Sequence, residues 1–450
     1  MIASVLQLSP PFVQRWHERI QQSPIGYRLA RGAFWSLAGA VISRGLGLLA
    51  VMVVGHVLGT DGFGDFTIIQ STIGTFAVFA GFSMGLTAAR HVAEYRFRDP
   101  ARAGRIIGLS SLIAWGTGLA MTLTLIGLAP WIAALQLDNP ELAVPLCIGA
   151  PLLLLGGVSG AQTGALNGFE AFKRGSLINL ICGVASFPIL VVFVWFWGLP
   201  GAIWALVVTQ AFNVILNHYG LAAEARQDGV PLGWRGAMRE RAVVWRFSLP
   251  AVLSGAMVAP VLLVAQSLFY IGPQGKAEMG VYGAANNWRN VIVFIPSMLA
   301  GVALPMLSSL RGPADARAYQ SLLWSNVKLS LWSSLAVALP VALVSPYIMR
   351  GFGRGFAEGY WVLIILCAVT VISSTLSVIG QSIASEGRMW FGLLLNGIWG
   401  VVLLGVSWLL RDRGALGFSW ANLAAYSVHL ITVSVYVRYR LKKGVETSRG

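Results

Sequence analysis

Two arginines lie deep inside apolar stretches of the chain, where a positive charge needs an explanation. Arg44 stands near the middle of the apolar run 33–58, and Arg289 lies comparably deep in the run 280–304. A charge at the centre of a bilayer costs at least about 2.5–3.5 kcal/mol on insertion scales, so each guanidinium must face a cavity or a partner. No Asp or Glu falls inside any apolar run. This positive interior predicts a site for an anionic substrate, with Arg44 as its main ligand.

Amide side chains accompany these arginines. Asn286, Arg289 and Asn290 are spaced by three and four residues, so they share one face of a helix. We expect Asn286, Asn290 and Gln70 to hydrogen-bond the head group of a substrate, and Arg289 to oppose Arg44 across a cleft. The alternatives are a structural role for Arg44, capped by main-chain carbonyls, and hydrogen bonding between helices for the face that holds Arg289.

The composition indicates which elements position these residues. Hydrophobic residues make up 56% of the 450 residues and charged residues 11%, an apolar excess that soluble chains rarely reach. The apolar runs are long enough for transmembrane helices, which predicts an all-α polytopic membrane protein. We predict 12 spans, at 33–58, 66–86, 106–128, 143–165, 176–199, 201–222, 248–271, 280–304, 322–347, 361–384, 389–410 and 415–437.

The distribution of positive charge predicts the orientation of the spans. With alternate loops on opposite sides, 24 of the 32 Lys and Arg residues lie on the side of the two termini, five lie on the other side and three lie inside spans. Loops rich in Lys and Arg remain in the cytoplasm, so both termini are predicted to be cytoplasmic. We therefore attribute the net charge of +15 to the orientation of the protein in the membrane and to its anchoring on anionic lipid. No nucleic-acid partner is expected.

The longest connection divides the chain into two blocks of six spans. We predict an interfacial cytoplasmic segment at 1–32, an N-lobe at 33–222, a cytoplasmic linker at 223–247, a C-lobe at 248–437 and a basic cytoplasmic tail at 438–450. The two blocks would be related by a pseudo-twofold axis along the membrane normal, with a central cleft between them. A weak repeat supports this division: Gly59, Gly62, Gly64 and Phe66 recur as Gly272, Gly275, Gly280 and Tyr282.

Two prolines inside predicted spans are candidate bends. Pro260 falls in the seventh span and Pro340 in the ninth, and each removes a main-chain hydrogen bond from its helix. We expect them to bend helices where two lobes rock against each other.

Several classes of membrane protein require motifs or loops that this sequence does not contain. An ATP-driven pump needs a phosphate-binding loop, and the segment 272–276 matches only part of one. Outer loops of at most about fourteen residues hold no catalytic domain, so a transporter is expected rather than an enzyme. Cys147, Cys182 and Cys367 show no ligand spacing, so neither metal nor cofactor is expected. An exporter of cationic drugs normally keeps a carboxylate inside the membrane, and no predicted span contains one.

Short segments along most of the chain resemble a known group of exporters. The segments are RGAFWS at 31–36, VLGTDGFG at 57–64, AARHVAEYR at 88–96, YGAA at 282–285 and LPMLS at 304–308. They are similar to the multidrug/oligosaccharidyl-lipid/polysaccharide (MOP) exporter superfamily and, within it, to the polysaccharide-unit flippases of O-antigen and capsule pathways.

One motif also resembles the related lipid II flippases. The segment SRGLG at 43–47 is similar to a Ser-Arg pair followed by Leu-Gly in their first span. Their cavity arginine would map onto Arg44. The chain differs from them in having 12 predicted spans rather than 14, and an apolar position where they carry a further arginine in span one. Their eighth-span arginine stands closer to the following proline than Arg289 does to Pro296.

The resemblance implies two six-helix lobes around a central cleft, as in MATE-type multidrug exporters. It implies a flippase that moves undecaprenyl-diphosphate-linked oligosaccharide from the inner to the outer leaflet of the bacterial cytoplasmic membrane by alternating access. Arg44 would be the primary diphosphate ligand and Arg289 its counterpart. The expected partners are membrane lipids, a polysaccharide polymerase and chain-length machinery. The alternatives are a multidrug or small-metabolite exporter of the same fold and a noncatalytic scaffold of a glycan-assembly complex.

Overall fold

The computed structural model describes residues 24–241, 256–272, 274–309, 316–385 and 389–447. Short 3-10 segments lie at Pro140–Leu142, Ala237–Glu240, Arg354–Gly359 and Arg411–Arg413, and a π-helical turn at Ile132–Gln136. The helices are α1 Pro24–Ala80, α2 Met84–Tyr95, α3 Pro100–Trp131, α4 Ala143–Gly149, α5 Pro151–Gly168, α6 Phe172–Gln227, α7 Val258–Tyr270, α8 Gly275–Ser309, α9 Ala316–Leu343, α10 Ser345–Gly351, α11 Tyr360–Ser385, α12 Met389–Leu409 and α13 Gly414–Thr447.

Two of these helices are interrupted by a glycine in a non-helical conformation. Gly59 in α1 has φ 68° and ψ −175°, and Gly198 in α6 has φ 57° and ψ −135°. Side chains other than glycine rarely adopt a positive φ, so these positions allow the chain to turn between two helical segments. Each of α1 and α6 therefore contains two of the predicted spans.

The predicted polytopic helical fold is confirmed. Within the described residues, seven helices are long and apolar enough to cross a membrane. They account for the predicted spans one to six and nine to eleven, because α1 and α6 hold two spans each. The shorter apolar helix α7 lies in the second half of the seventh predicted span, whose residues 248–255 lie outside the described residues, and α8 and α13 contain the eighth and twelfth predicted spans.

The two lobes meet closely at the end of the bundle that holds Gly59, here called the Gly59 end; the opposite end, which holds α2, is the α2 end. The ring of Phe63 in α1 lies 5.9 Å from that of Phe352 and 5.8 Å from that of Phe356, between centroids. All three side chains are fully buried. A side chain on Gly64 would collide with the main-chain oxygen of Lys276 in α8, so the main chains of α1 and α8 are in contact there.

The predicted linker is described as far as residue 241, with 242–247 outside the described residues, and this part is packed onto the N-lobe at the α2 end. Helix α6 continues to Gln227, beyond the predicted lobe boundary at 222, and residues 228–241 then fold onto α3. We call residues 228–241 the strap. Glu240 accepts hydrogen bonds from Arg102 (3.2 Å) and Arg105 (3.2 and 3.3 Å) of α3. The strap therefore belongs structurally to the N-lobe.

The two prolines proposed as bends have different positions. Pro260 lies in the first turn of α7, where the missing N–H of proline is tolerated. Pro340 lies inside α9, close to the end of that helix at Leu343. The N–H of Val344 donates to the carbonyl of Pro340 (3.0 Å), and α10 begins at the next residue. Pro340 thus precedes a break between two helices, and the hinge role of both prolines stays a prediction.

Candidate substrate cleft

Arg44 links the two lobes. It lies in the first segment of α1, and its side chain is exposed along the boundary with α8. Its Nη1 donates a hydrogen bond to the main-chain oxygen of Asn290 (3.0 Å), and its Cζ lies 3.9 Å from the ring centroid of Phe294. Asn290 and Phe294 are four residues apart, so they present one face of α8 to this guanidinium.

These contacts leave much of the guanidinium available. Arginine has five N–H donors, and one of them is used by the carbonyl of Asn290. Among the described residues no Asp or Glu forms an ion pair with Arg44. The ring of Phe294 stabilises the cation without neutralising its charge. Against the residues that the structure describes, Arg44 therefore keeps both its positive charge and free donors at the boundary between the lobes.

Arg289 has its described contacts inside the C-lobe. Its Nη2 donates to the hydroxyl of Tyr426 in α13 (3.3 Å), and its Cζ lies 5.8 Å from the centroid of the same ring. Tyr426 packs against Trp399 of α12, with 5.6 Å between ring centroids. This is the hydrogen bonding between helices that the sequence left open as an alternative. The expected position of Arg289 opposite Arg44 stays a prediction that no contact among the described residues supports.

The predicted amide ligands are only partly assembled around Arg44. Asn290 meets Arg44 through its main-chain oxygen, while its side chain is exposed. Asn286 is half-buried one turn earlier in α8. Gln70 is exposed on the second segment of α1. The structure thus brings Arg44 and Asn290 together, and the head-group role of all three amides stays a prediction.

Two residues of this region were missed from the sequence. Phe294 under Arg44 could have been found, because it falls four residues after Asn290 on the same helix face. Tyr426 lies in the last predicted span, far from Arg289 in the chain, and no local spacing connects the two.

A carboxylate also lies between the lobes, at the Gly59 end. The hydroxyl of Tyr270 in α7 donates to Oδ1 of Asp65 in α1 (2.6 Å) and accepts from Nδ2 of Asn139 (3.2 Å). Gln136 donates to the hydroxyl of Ser267 in α7 (3.4 Å). Asp65 directly precedes the predicted span 66–86, so the sequence placed it outside the membrane core. In the folded chain it is half-buried and holds the N-lobe to the C-lobe.

Solved structures share this fold. An inward-facing conformation of a multidrug resistance MATE family transporter of the MOP superfamily aligns with a TM-score of 0.74 and 16% sequence identity. The alignment covers 92% of this chain and 99% of that one. The expected MATE-like arrangement of two helical lobes is confirmed.

The sequence comparisons identify the family. The EPS I polysaccharide export inner membrane protein EpsE of Ralstonia nicotianae is 26% identical over 406 residues, which cover 87% of this chain and 89% of that protein. The lipid III flippase of Escherichia coli is 22% identical over 435 residues, covering 92% and 99%. A family model described as polysaccharide biosynthesis protein matches residues 29–311, more than half of the chain. The chain belongs to this polysaccharide biosynthesis protein family, as its sequence motifs indicate.

Proposed function

We propose that this protein is a flippase that moves polysaccharide repeat units, linked to undecaprenyl diphosphate, from the inner to the outer leaflet of the bacterial inner membrane. One observation carries the proposal. Arg44 lies midway along the predicted first span, at the boundary between the lobes, and its described partners are a main-chain carbonyl and an aromatic ring. A cation held there without a carboxylate suits an anionic substrate.

The chemistry of a diphosphate fits this position. A guanidinium binds phosphate oxygens through parallel charge-assisted hydrogen bonds, which are about twice as strong as hydrogen bonds between neutral groups. The amides of Asn286, Asn290 and Gln70 are suited to sugar hydroxyls or phosphate oxygens. The lipid tail would stay outside, between the lobes.

The relatives favour a glycan as the rest of the substrate. They include a polysaccharide export protein, a lipid III flippase and, at 21% identity over 326 residues, a putative O-antigen transporter of Shigella flexneri. Their names support the transport of polysaccharide units. The undecaprenyl diphosphate carrier and the direction of movement are part of our proposal and go beyond these names.

The orientation follows from charge, and the structure suits the state that would accept substrate. Because Lys and Arg concentrate at the α2 end, we place that end and both termini in the cytoplasm, with the Gly59 end outside. The Gly59 end is closed by Phe63, Phe352, Phe356 and the contact at Gly64. A transporter closed towards the outside is the form that receives a substrate from the inner leaflet, and rocking of the lobes would then release it on the other side.

A flipping assay with purified protein tests this proposal. Liposomes would contain the full-length protein and an undecaprenyl-diphosphate oligosaccharide with a fluorescent sugar. We expect the label to reach a membrane-impermeant quencher faster with the protein than without it. The matched control is the same oligosaccharide on a neutral polyprenyl ether, which we expect to stay in its leaflet.

Two outcomes would count against the proposal. Transport of a cationic drug by the same liposomes, without movement of the diphosphate lipid, would indicate a multidrug exporter. Equal movement of the charged and neutral lipids would show that Arg44 does not select the substrate. If neither lipid nor drug moves, a scaffold role becomes the better account.

A further inference from the structure

The C-lobe holds a positive charge that no described acidic group balances. Nη2 of Arg289 in α8 donates a hydrogen bond to the hydroxyl of Tyr426 in α13 (3.3 Å). Among the described residues, the hydroxyls of Tyr426 and Tyr282 are the groups that interact electrostatically with this guanidinium. A neutral phenol accepts a hydrogen bond without cancelling a charge. Arg289 is therefore an unbalanced cation within a lobe that spans the membrane, where such a charge is costly.

The acidic side chains described in the C-lobe lie far from this cation. They are Glu278, Glu358 and Asp412, and all three belong to the Gly59 end. Glu278 precedes Arg289 by 11 residues in the same helix, which separates them by about 16 Å at ~1.5 Å per residue. Its carboxylate accepts the N–H of Ala415 instead (2.8 Å). Because no predicted span contains an acidic residue, a counter-charge beside Arg289 has to come from a ligand.

The surroundings of Arg289 supply few hydrogen-bond acceptors. One of its five N–H groups is used by Tyr426, and the others have no acceptor within the described part of the chain. The oxygen of Tyr426 already accepts from Arg289, and no described group accepts its O–H. Trp399 packs against Tyr426 with 5.6 Å between ring centroids, and its Nε1 has no partner among the described residues either. An anion accepts several hydrogen bonds and balances the charge as well, which water cannot do.

The packing around Arg289 favours a small anion of single charge. Arg289 and Tyr426 are half-buried, so open space remains beside both side chains. Tyr282 and Trp399 are almost completely buried, and the ring of Tyr282 lies 4.9 Å from that of Phe418, between centroids. These neighbours are aromatic and carry no charge. Because the cost of removing an ion from water rises with its charge, a halide enters such surroundings more easily than a phosphate.

We propose that the C-lobe binds a halide ion, chloride in the cell, at Arg289. The ion accepts hydrogen bonds from the guanidinium and from the hydroxyl of Tyr426, and it balances the charge of Arg289 inside the lobe. It is distinct from the anion proposed for Arg44, whose partners lie across the lobe boundary. The halide site depends neither on the substrate nor on the direction of transport proposed above.

Chloride-35 magnetic resonance of the purified full-length protein in detergent tests this site. Chloride would be titrated at constant ionic strength, with gluconate as the replacing anion, because exchange with a bound state broadens the chloride line. We expect a saturable broadening that bromide reverses. Replacing gluconate by chloride should also raise the midpoint of thermal unfolding by about 2–4 °C, since the ion binds the folded protein.

Variants of the two donors assign the signal to this site. Arg289→Gln keeps a donor for Tyr426 and removes the charge, so the saturable broadening and the thermal shift should both disappear. Tyr426→Phe removes one donor to the ion and should weaken binding about tenfold; it decides the question if Arg289→Gln does not fold. Lys328→Gln is the matched control, because it removes an exposed cation from α9 of the same lobe and should change neither signal.

Three results would overturn the halide site. The first is a wild-type protein without a saturable chloride signal. The second is a signal that persists unchanged in folded Arg289→Gln or in Tyr426→Phe. The third comes from inorganic pyrophosphate, the probe for a diphosphate: if it displaces chloride at a lower concentration than bromide does, Arg289 belongs to the substrate site instead.

Discussion

Arg44 and Arg289 lie at similar depth in the chain's apolar runs, yet they have different surroundings. Arg44 reaches from the N-lobe to the main chain of Asn290 and the ring of Phe294 in the C-lobe. Arg289 donates to Tyr426 within the C-lobe. The depth of a charge thus sets the cost of holding it in a membrane, while its neighbours decide what the charge can do.

The difference also concerns what happens when the lobes move. The contacts of Arg44 cross the lobe boundary, so any rocking of one lobe against the other breaks or changes them. They consist of one hydrogen bond to an uncharged acceptor and one cation–π contact, each worth about 0.5–3 kcal/mol. A diphosphate can replace both. The bond between Arg289 and Tyr426 lies inside one lobe and would persist through such a motion.

Substitution of Arg44 should have the largest effect on transport. We expect Arg44→Ala to lower the flipping rate by about a hundredfold, because two charge-assisted hydrogen bonds to the diphosphate are lost. Protein levels should stay normal, and lipid-linked repeat units should accumulate on the inner leaflet. Arg44→Lys keeps the charge without the forked donors, so partial activity is expected.

The effect of Arg44→Ala on transport has to be compared with the effect of Arg289→Ala. Arg289→Ala should lower thermal stability more than Arg44→Ala does, because the hydroxyl of Tyr426 loses its hydrogen-bond donor inside a lobe. Normal delivery to the outer leaflet in Arg44→Ala would refute its assigned role. A loss of transport in Arg289→Ala with unchanged stability would instead restore the two-arginine site expected from the sequence.

Closure of the Gly59 end should depend on the contact between α1 and α8. A methyl group at Gly64 would collide with the main-chain oxygen of Lys276, and such overpacking typically costs about 1–3 kcal/mol. We expect Gly64→Ala to reduce the closed population by about tenfold, and transport with it. Electron paramagnetic resonance distances between spin labels at Asp61→Cys and Arg354→Cys, in a background without native cysteines, would measure this population.

Gly74→Ala is the matched control for this prediction. Gly74 lies in the same helical segment, and no atom outside its own helix neighbourhood approaches the position of an added methyl group. The closed population should equal that of the wild type. A distance distribution that Gly64→Ala leaves unchanged would show that the closed state does not need this contact.

The bond between Arg289 and Tyr426 should contribute to stability more than to transport. Tyr426→Phe removes the acceptor and keeps the ring, so one donor of Arg289 loses its partner. We expect the free energy of unfolding to fall by about 1–2 kcal/mol, which thermal denaturation in detergent would report. Tyr347→Phe, at an exposed position on α10, should leave it unchanged. If Tyr426→Phe leaves stability intact and abolishes flipping, Arg289 belongs to the substrate path.

The sequence predicted the helical fold better than the candidate site, for a physical reason. Spans are local: runs of apolar residues bounded by glycine and charge identified both segments of α1 and the turn at Gly59. Contacts between spans depend on helix rotation and on the approach of the lobes. Arg44 could be identified from the sequence because the apolar residues that make its charge costly are its neighbours in the chain. Its contact with Phe294 and the bond between Arg289 and Tyr426 join residues far apart in the chain.

The smallest effect is expected from the hydrogen bond between Tyr270 and Asp65. Tyr270→Phe keeps the ring and removes the hydroxyl that joins α7 to Asp65 and Asn139. Both partners lie at the Gly59 end, where Asp65 is half-buried and water can replace part of the lost bond. We therefore expect a cost of about 1 kcal/mol, or roughly a fivefold smaller closed population by the same spin-label distance. Asp65→Asn should cost less still, since the amide oxygen can accept the same proton. A larger loss of closure in Tyr270→Phe than in Gly64→Ala would show that polar bonds, rather than the contact between main chains, hold this end shut.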